Sequence, residues 1–255
     1  MKRPTVSIIT PCYNYSKFIG HTIESVLAQT KDIPDLEHFV VNDASTDDSW
    51  KVIQSWMAKD KRIKGMNLTK NGGYSHAKNE AIIKSTGKFI VTIDADDMLT
   101  PHSLKYRLRA FTSNSNIEFV HGNAYTFKGD GGYEWCCRKM RKLHIHQGTK
   151  IHAQSVMMPR TIYEKYGLYD EELRSKSDKE MWKRLMFVAK INMLKVKQCV
   201  AFYRRHKDSM IIMRKKNPDY NKEVLRIHNK NVNMRVKEGI HKRNTRFIPQ
   251  ENRLG

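Results

Sequence analysis

Short apolar runs and helix-periodic segments take turns along the first half of the chain, and this alternation restricts the fold more than any other feature. VSIIT (6–10), HFVVN (38–42), FIVTI (89–93) and IEFVHG (117–122) are rich in β-branched and apolar residues, as buried strands require, and RIKGMNL carries a weaker strand pattern. Helical spacing fills the gaps. Phe18 to Gln29 sets Ile19, Ile23, Val26 and Leu27 on one face; Val52, Ile53, Trp56 and Met57 form another, with Ser45 as cap and Asp48 at the reciprocal position. NGGYSHAKNEAIIKSTG reads as a glycine-opened helix stopped at Gly87. Leu104, Leu108 and Phe111 mark a helix after Thr100 and Pro101, which suit N-cap and first helical position. The alternation predicts βαβ units: an α/β fold on a mostly parallel sheet flanked by helices. Such sheets bind ligands at the carboxyl ends of their strands.

Acid gathers at two of those ends, Asn42-Asp43 and Asp94-Ala95-Asp96-Asp97. In an extended segment, residues i and i+2 share a face with Cα atoms roughly 6.6 Å apart, so Asp94 and Asp96 are expected to point the same way. Two carboxylates about 4–5 Å apart repel by roughly 3–4 kcal/mol at an effective dielectric near 20. A shared proton, a basic neighbour or a divalent metal must offset that. Oxygen ligands alone suit magnesium or manganese; the other reading is an acidic turn that starts the helix after Pro101. A calcium loop of the EF-hand kind fits poorly, because its glycine and closing glutamate are missing.

Beyond about residue 122 the pattern loosens. KGDGGYEWCC reads as a turn-rich loop, PRTIYEKYG as a short helix, and CVAFYRRH as a strand entering a loop. Asp178 heads a helix with Met181, Leu185 and Val188 on one side, where an N-cap role competes with a chemical one. His144 and His146 have zinc-like spacing without a third ligand, which leaves a basic loop. The tyrosines and Trp135 of the 128–148 stretch suit stacking on a sugar or base, and equally core or lid packing. No run of about 18 apolar residues is present, so no transmembrane helix is expected, nor is a signal peptide. Four cysteines without metal-ligand spacing point to a reducing, cytoplasmic compartment. The formal net charge is +21, and from Arg204 onward 15 basic residues face 5 acidic ones. A second basic cluster is RKMRK, Arg138 to Lys142. A surface of this kind favours polyanions: an anionic membrane face, nucleic acid or phosphorylated substrates.

Taken in order, VSIITPCYN, FIGHTIESVLAQT, VVNDASTDDS, NGGYSHAKNEAI, DADD, GLYDEEL with SDKEMWKRL, and YRRH resemble the motifs of family 2 glycosyltransferases of the GT-A fold, over roughly residues 5–206. Two positions depart from the pattern: Asn42 stands where an aspartate is commoner, and Ser177-Asp178 where the family usually has Glu-Asp. The resemblance implies a GT-A (Rossmann-like) domain over 1–206, with a donor half at about 1–122 and an acceptor half at about 123–206. A basic extension follows over 207–255, with a helix expected from Asn221 to Glu238. It also implies roles. Asp43 binds the nucleotide base, with Tyr13 and the Pro11 backbone lining that pocket; Asn79 belongs to the donor side; Asp94 meets the ribose or the metal. Asp96 and His206 hold the metal, Mn2+ or Mg2+, Arg204 closes on the diphosphate, and Asp178 is the general base.

The implied reaction moves a sugar, with inversion, from a nucleotide sugar to an acceptor hydroxyl. UDP is the commonest donor nucleotide for such sites. A cell-envelope or lipid-linked glycan at the inner membrane face is one acceptor; a hydroxylated base in DNA is another. Two further readings are a non-catalytic nucleotide-binding module on the same fold and a nucleotidyltransferase; PCYNYSK fits the phosphate loop of the latter poorly.

Overall fold

The computed structural model describes residues 5–146, 151–173 and 176–209. The helix expected over 221–238 lies outside the described residues. The first half runs β1 (Val6–Cys12), α1 (Ser16–Leu27), β2 (Leu36–Asn42), α2 (Ser49–Lys59), β3 (Ile63–Asn67), α3 (Tyr74–Lys84) and β4 (Phe89–Thr92). β1 pairs in parallel with β2, Val6 opposite Leu36, and with β4, Val6 opposite Phe89; β3 extends the sheet beyond β2. β1, β2 and β4 are buried at every residue, as central strands covered on both faces must be. β3 is the edge strand and is mostly uncovered, which explains its weak pattern.

Then follow β5 (Met98–Leu99), α4 (Ser103–Ser113), β6 (Phe119–Lys128), α5 (Tyr133–Lys139), β7 (His144–His146), β8 (Met157–Pro159), α6 (Arg160–Tyr166), α7 (Ser177–Lys183) and β9 (Met193–Arg205). The sheet order is β3-β2-β1-β4-β8-β6-β9-β5, with β7 on β6. The sheet is parallel through its first four strands and mixed beyond them. β8 is a three-residue strand antiparallel to both β4 and β6, too short to show a period in sequence.

Alternation along the strands splits the core. Ile9, Phe39, Val41 and Ile90 face Ala77, Ala81 and Ile82 of α3, together with Ile162, Trp182 and Leu185. On the other side Val40 packs with Ile19, Ile23 and Ile53 of α1 and α2, while Ile8 and Val91 pack with Leu104 of α4.

Several expected boundaries move, each because a side chain or strand finds another partner. Ser45 does not cap α2; its Oγ accepts from Asn14 N at 3.0 Å, and Asp47 takes the amide of Ser49 at 2.9 Å. α4 starts at Ser103 rather than Pro101, because Met98 and Leu99 pair with β9 and the Thr100 hydroxyl donates to Cys199 O. α3 ends at Lys84. Gly87 serves a close approach instead: a Cβ there would lie 2.5 Å from Ser7 N. The expected loop at YEWCC is the short helix α5.

Candidate active site

The carboxyl ends of β1, β2 and β4 open on one side of the sheet, and the acids stand there. β4 stops at Thr92, and the Asp97 amide donates to Asp94 O at 3.1 Å, closing a turn over 94–97. Asp94 and Asp96 are therefore not two residues on one face of a strand. The turn gathers them instead, bringing carboxylate oxygens of Asp94, Asp96 and Asp97 within 4.8 Å of one another. The turn is held from behind: Thr22 Oγ1 lies 2.8 Å from both Ala95 O and Asp97 O, and Arg204 Nε donates to Asp96 O at 2.8 Å.

Each carboxylate has a different environment. Asp94 accepts from the Tyr74 hydroxyl at 2.5 Å; burial, then the charge of Asp96, pushes it up to about 7. Asp97 is sealed from solvent. Its Oδ1 accepts from Arg204 N, its Oδ2 has no partner among the described residues, and burial with both neighbouring acids drives it well above the carboxylate range. Asp96 Oδ2 lies 2.9 Å from His206 Nε2, while His206 Nδ1 is buried without a partner. Among the described residues no ammonium or guanidinium hydrogen-bonds these three carboxylates, and burial together with the neighbouring acids favours the protonated form of Asp94 and Asp97. Hard oxygen donors with one imidazole alongside, crowded to this degree, fit a divalent cation.

The other expected residues divide into two groups. Asp43, at the end of β2, accepts the amides of Gly72 and Gly73, each at 2.8 Å, so it fixes the glycine loop that opens α3. Gly73 has a φ of 90°, which favours glycine, and Ala44 beside Asp43 carries a left-handed φ of 57°. Pro11 lies in β1 opposite Val41, and Tyr13 is exposed just past the strand.

Arg204 and Asn79 are enclosed. The Arg204 guanidinium lies between the rings of Phe18 and Phe127, at 4.7 and 4.6 Å, and donates to Gly129 O. At 1 % exposed it braces the acid turn, and its Nη2 is buried without a hydrogen-bond partner among the described residues. Asn79 is fully buried. Its Oδ1 accepts from Tyr169 N, and its Nδ2 donates to Tyr169 O and Glu171 Oε1. The expected donor-side asparagine is thus a clamp between α3 and the 168–173 loop. His76, whose Nδ1 lies 2.9 Å from Glu171 Oε2, and Ser75, which donates to Leu173 O, complete the clamp.

That clamp delivers Asp178. α7 has Lys176 at its N-cap and no side-chain cap bond, so Asp178 sits in the first turn without capping the helix. Its Oδ1 accepts from Lys78 Nζ at 2.6 Å instead. Lys78 is buried, 3.4 Å from the Tyr169 ring centroid and 4.0 Å from that of Tyr74; burial lowers its pKa against the pull of Asp178 and Asp94. Tyr74 and Lys78 were not singled out from sequence. The signal was there: they stand four apart on the helix that follows the glycine loop, hence on one face.

Comparison with known proteins places the chain in a family. Residues 7–167 match the model of glycosyl transferase family 2. The chain is 34% identical to the chondroitin synthase of Escherichia coli over 145 residues, 55% of this chain and 21% of that protein. It is 34% identical to the teichuronic acid biosynthesis glycosyltransferase TuaG of Bacillus subtilis over 113 residues, 44% of each. The matches thus span well under two thirds of those relatives. Among solved structures, S. aureus TarS 1–349 in complex with UDP superposes with a TM-score of 0.61 at 18% identity, covering 80% of this chain and 61% of that one. The mannosyltransferase PcManGT of Pyrobaculum calidifontis, in complex with GDP-Man and Mn2+, superposes at 0.64 with 19% identity, covering 84% and 61%. These likenesses show a GT-A-type fold. The family match covers the β1, β2 and β4 ends and the acid turn between them, and on it the chain belongs to glycosyl transferase family 2.

Proposed function

We propose that this chain transfers a sugar from a nucleotide sugar, with UDP as the nucleotide, to an acceptor hydroxyl, with inversion and with Mn2+ or Mg2+ as cofactor. The observation that carries the reading is the trio of carboxylates at the end of β4, gathered within 4.8 Å of one another, with Asp178 tied to the same helix that contacts Asp94. Asp94, Asp96 and His206 would hold the cation. Bound there, a divalent ion supplies Lewis-acid stabilisation for the negative charge of a departing diphosphate. The remaining work falls to the chain. Asp43 keeps lone pairs beyond its two amide bonds, and with Tyr13 and the Pro11 backbone it receives the nucleoside. Asp178 takes the proton of the acceptor hydroxyl as it attacks the sugar carbon opposite the leaving group. Arg204 holds the acid turn in place from below.

The complexes of TarS with UDP and UDP-GlcNAc and of PcManGT with GDP-Man and Mn2+ support the donor class and the cofactor. An anionic cell-envelope glycan is the acceptor we favour. It suits the charge of +21, and relatives are named for chondroitin, hyaluronan and teichuronic acid synthesis.

A thermal-shift screen of nucleoside diphosphates with and without Mn2+, followed by hydrolysis of the matching sugar donors, tests the reading. Asp96→Asn is expected to abolish metal-dependent donor turnover with the fold intact. Asp178→Asn is expected to spare donor binding and stop transfer. Turnover that survives either change removes that residue from its role.

A further inference from the structure

Lys78 ion-pairs with Asp178 and lies over the ring of Tyr74, the partner of Asp94, and its setting is unusual for a lysine. It is fully buried, which lysine almost never is unless paired. Its ammonium lies over the rings of both Tyr74 and Tyr169. Neither ring is free to move away. Tyr74 donates its hydroxyl to Asp94, and the Tyr169 backbone is bonded in both directions by Asn79, the residue next to Lys78. The ammonium is thus fixed in space by α3 and by the loop that α3 clamps. Its hydrogen-bond partner, Asp178 Oδ1, comes from a helix start 100 residues away. The Asp178 side chain is 22% exposed, and among the described residues no group bonds its Oδ2.

We propose that Lys78 is the positioning residue for Asp178: it pins one carboxylate oxygen so that the other stands ready, in a fixed orientation, for the proton of the incoming hydroxyl. The inference rests on the reading of Asp178 as the base. It adds a division of labour on one helix. Through Tyr74, α3 touches the donor-side acid, and through Lys78, one turn later, the acceptor-side acid, so the spacing between the two is set by helix geometry rather than by two loops. A flexible lysine suits pairing with a single oxygen, where an arginine fork would engage both.

The test uses the full chain, Mn2+ and a donor panel of UDP-glucose, UDP-N-acetylglucosamine, UDP-glucuronate and GDP-mannose, with water as acceptor. Lys78→Met and Lys78→Gln are compared with Asp178→Asn and with each double variant, and thermal unfolding monitors the fold of all. Loss of positioning is expected to lower kcat for donor hydrolysis by roughly 10- to 100-fold while the affinity for UDP and Mn2+ stays within about twofold. In the Asp178→Asn background the same lysine substitutions are expected to cost nothing further. Lys78→Gln, which keeps an N–H donor, is expected to retain more activity than Lys78→Met. An unchanged kcat overturns the inference, and so does an equal loss with and without the Asp178 carboxylate. A wild-type chain that turns over none of the donors fails differently: it overturns the reading of the site itself.

Discussion

Tyr74 illustrates how much a single hydroxyl decides. Its 2.5 Å bond to Asp94 favours the ionised carboxylate against burial and the repulsion of Asp96. Tyr74→Phe keeps the ring beneath Lys78 and removes only that bond. The Mn2+ concentration giving half-maximal stabilisation by UDP is expected to rise roughly tenfold, read by thermal shift. His38 makes a different kind of prediction. It is buried in β2 with Nε2 2.8 Å from Thr10 Oγ1, and burial lowers its pKa from 6.5 to about 3. The unfolded chain therefore binds a proton near pH 6.5 that the folded chain refuses. Stability is full above that pH and falls as pH drops toward 3, by about 2 kcal/mol at pH 5. Denaturant titrations at pH 7 and 5 check this, and His38→Gln is expected to flatten the difference. Residue identities made the acids at 43, 94, 96 and 178 legible in sequence. The partner of Asp178 was not, because Lys78 looks like one more basic residue among 47 until burial marks it out.

At the scale of elements, α3 is the piece that joins the two halves. Its exposed-looking polar residues Ser75, His76, Lys78 and Asn79 all turn out to bond the segment after α6. This accounts for the poor amphipathic pattern of the helix: its polar side faces protein, not water. Asn79→Ala is expected to lower stability by about 2–3 kcal/mol while leaving UDP affinity unchanged, measured by denaturant unfolding and calorimetry. The opposite result, weaker UDP binding at full stability, would return Asn79 to the donor site. The strands were readable because β1, β2 and β4 hold short runs rich in β-branched and apolar residues, and α1 because its period is clean. β7 and β8 were not, because three residues cannot display a period. The starts of α2 and α4 were misread for another reason: the capping residues Ser45 and Thr100 are recruited by Asn14 and Cys199, which are distant in sequence.

For the whole molecule, charge is the property that sequence states most directly. Among the described residues no helix is long and apolar enough to cross a membrane. Residues 210–255 hold 12 basic and 4 acidic side chains. Truncation before residue 210 is expected to weaken binding to an anionic polysaccharide and to flatten its salt dependence, with UDP binding retained. Titrations of heparin at two ionic strengths check this; equal binding by both forms would place polyanion recognition on the remaining surface, where RKMRK stands exposed at Arg138, Lys139, Arg141 and Lys142.

By itself the sequence determined the alternation of strands and helices, the mostly parallel sheet this implies and the gathering of acid at strand carboxyl ends. Each of those follows from local periodicity and from which residue stops a strand, both of which a short window contains. Tertiary structure alone decided that Asp94, Asp96 and Asp97 meet in a turn, that Arg204 supports that turn from inside, and that Asp178 answers to Lys78. The physical reason is burial. Which polar groups must find partners depends on what the assembled sheet, its helices and the clamped loop exclude from water, and no stretch of chain carries that information before the two halves meet.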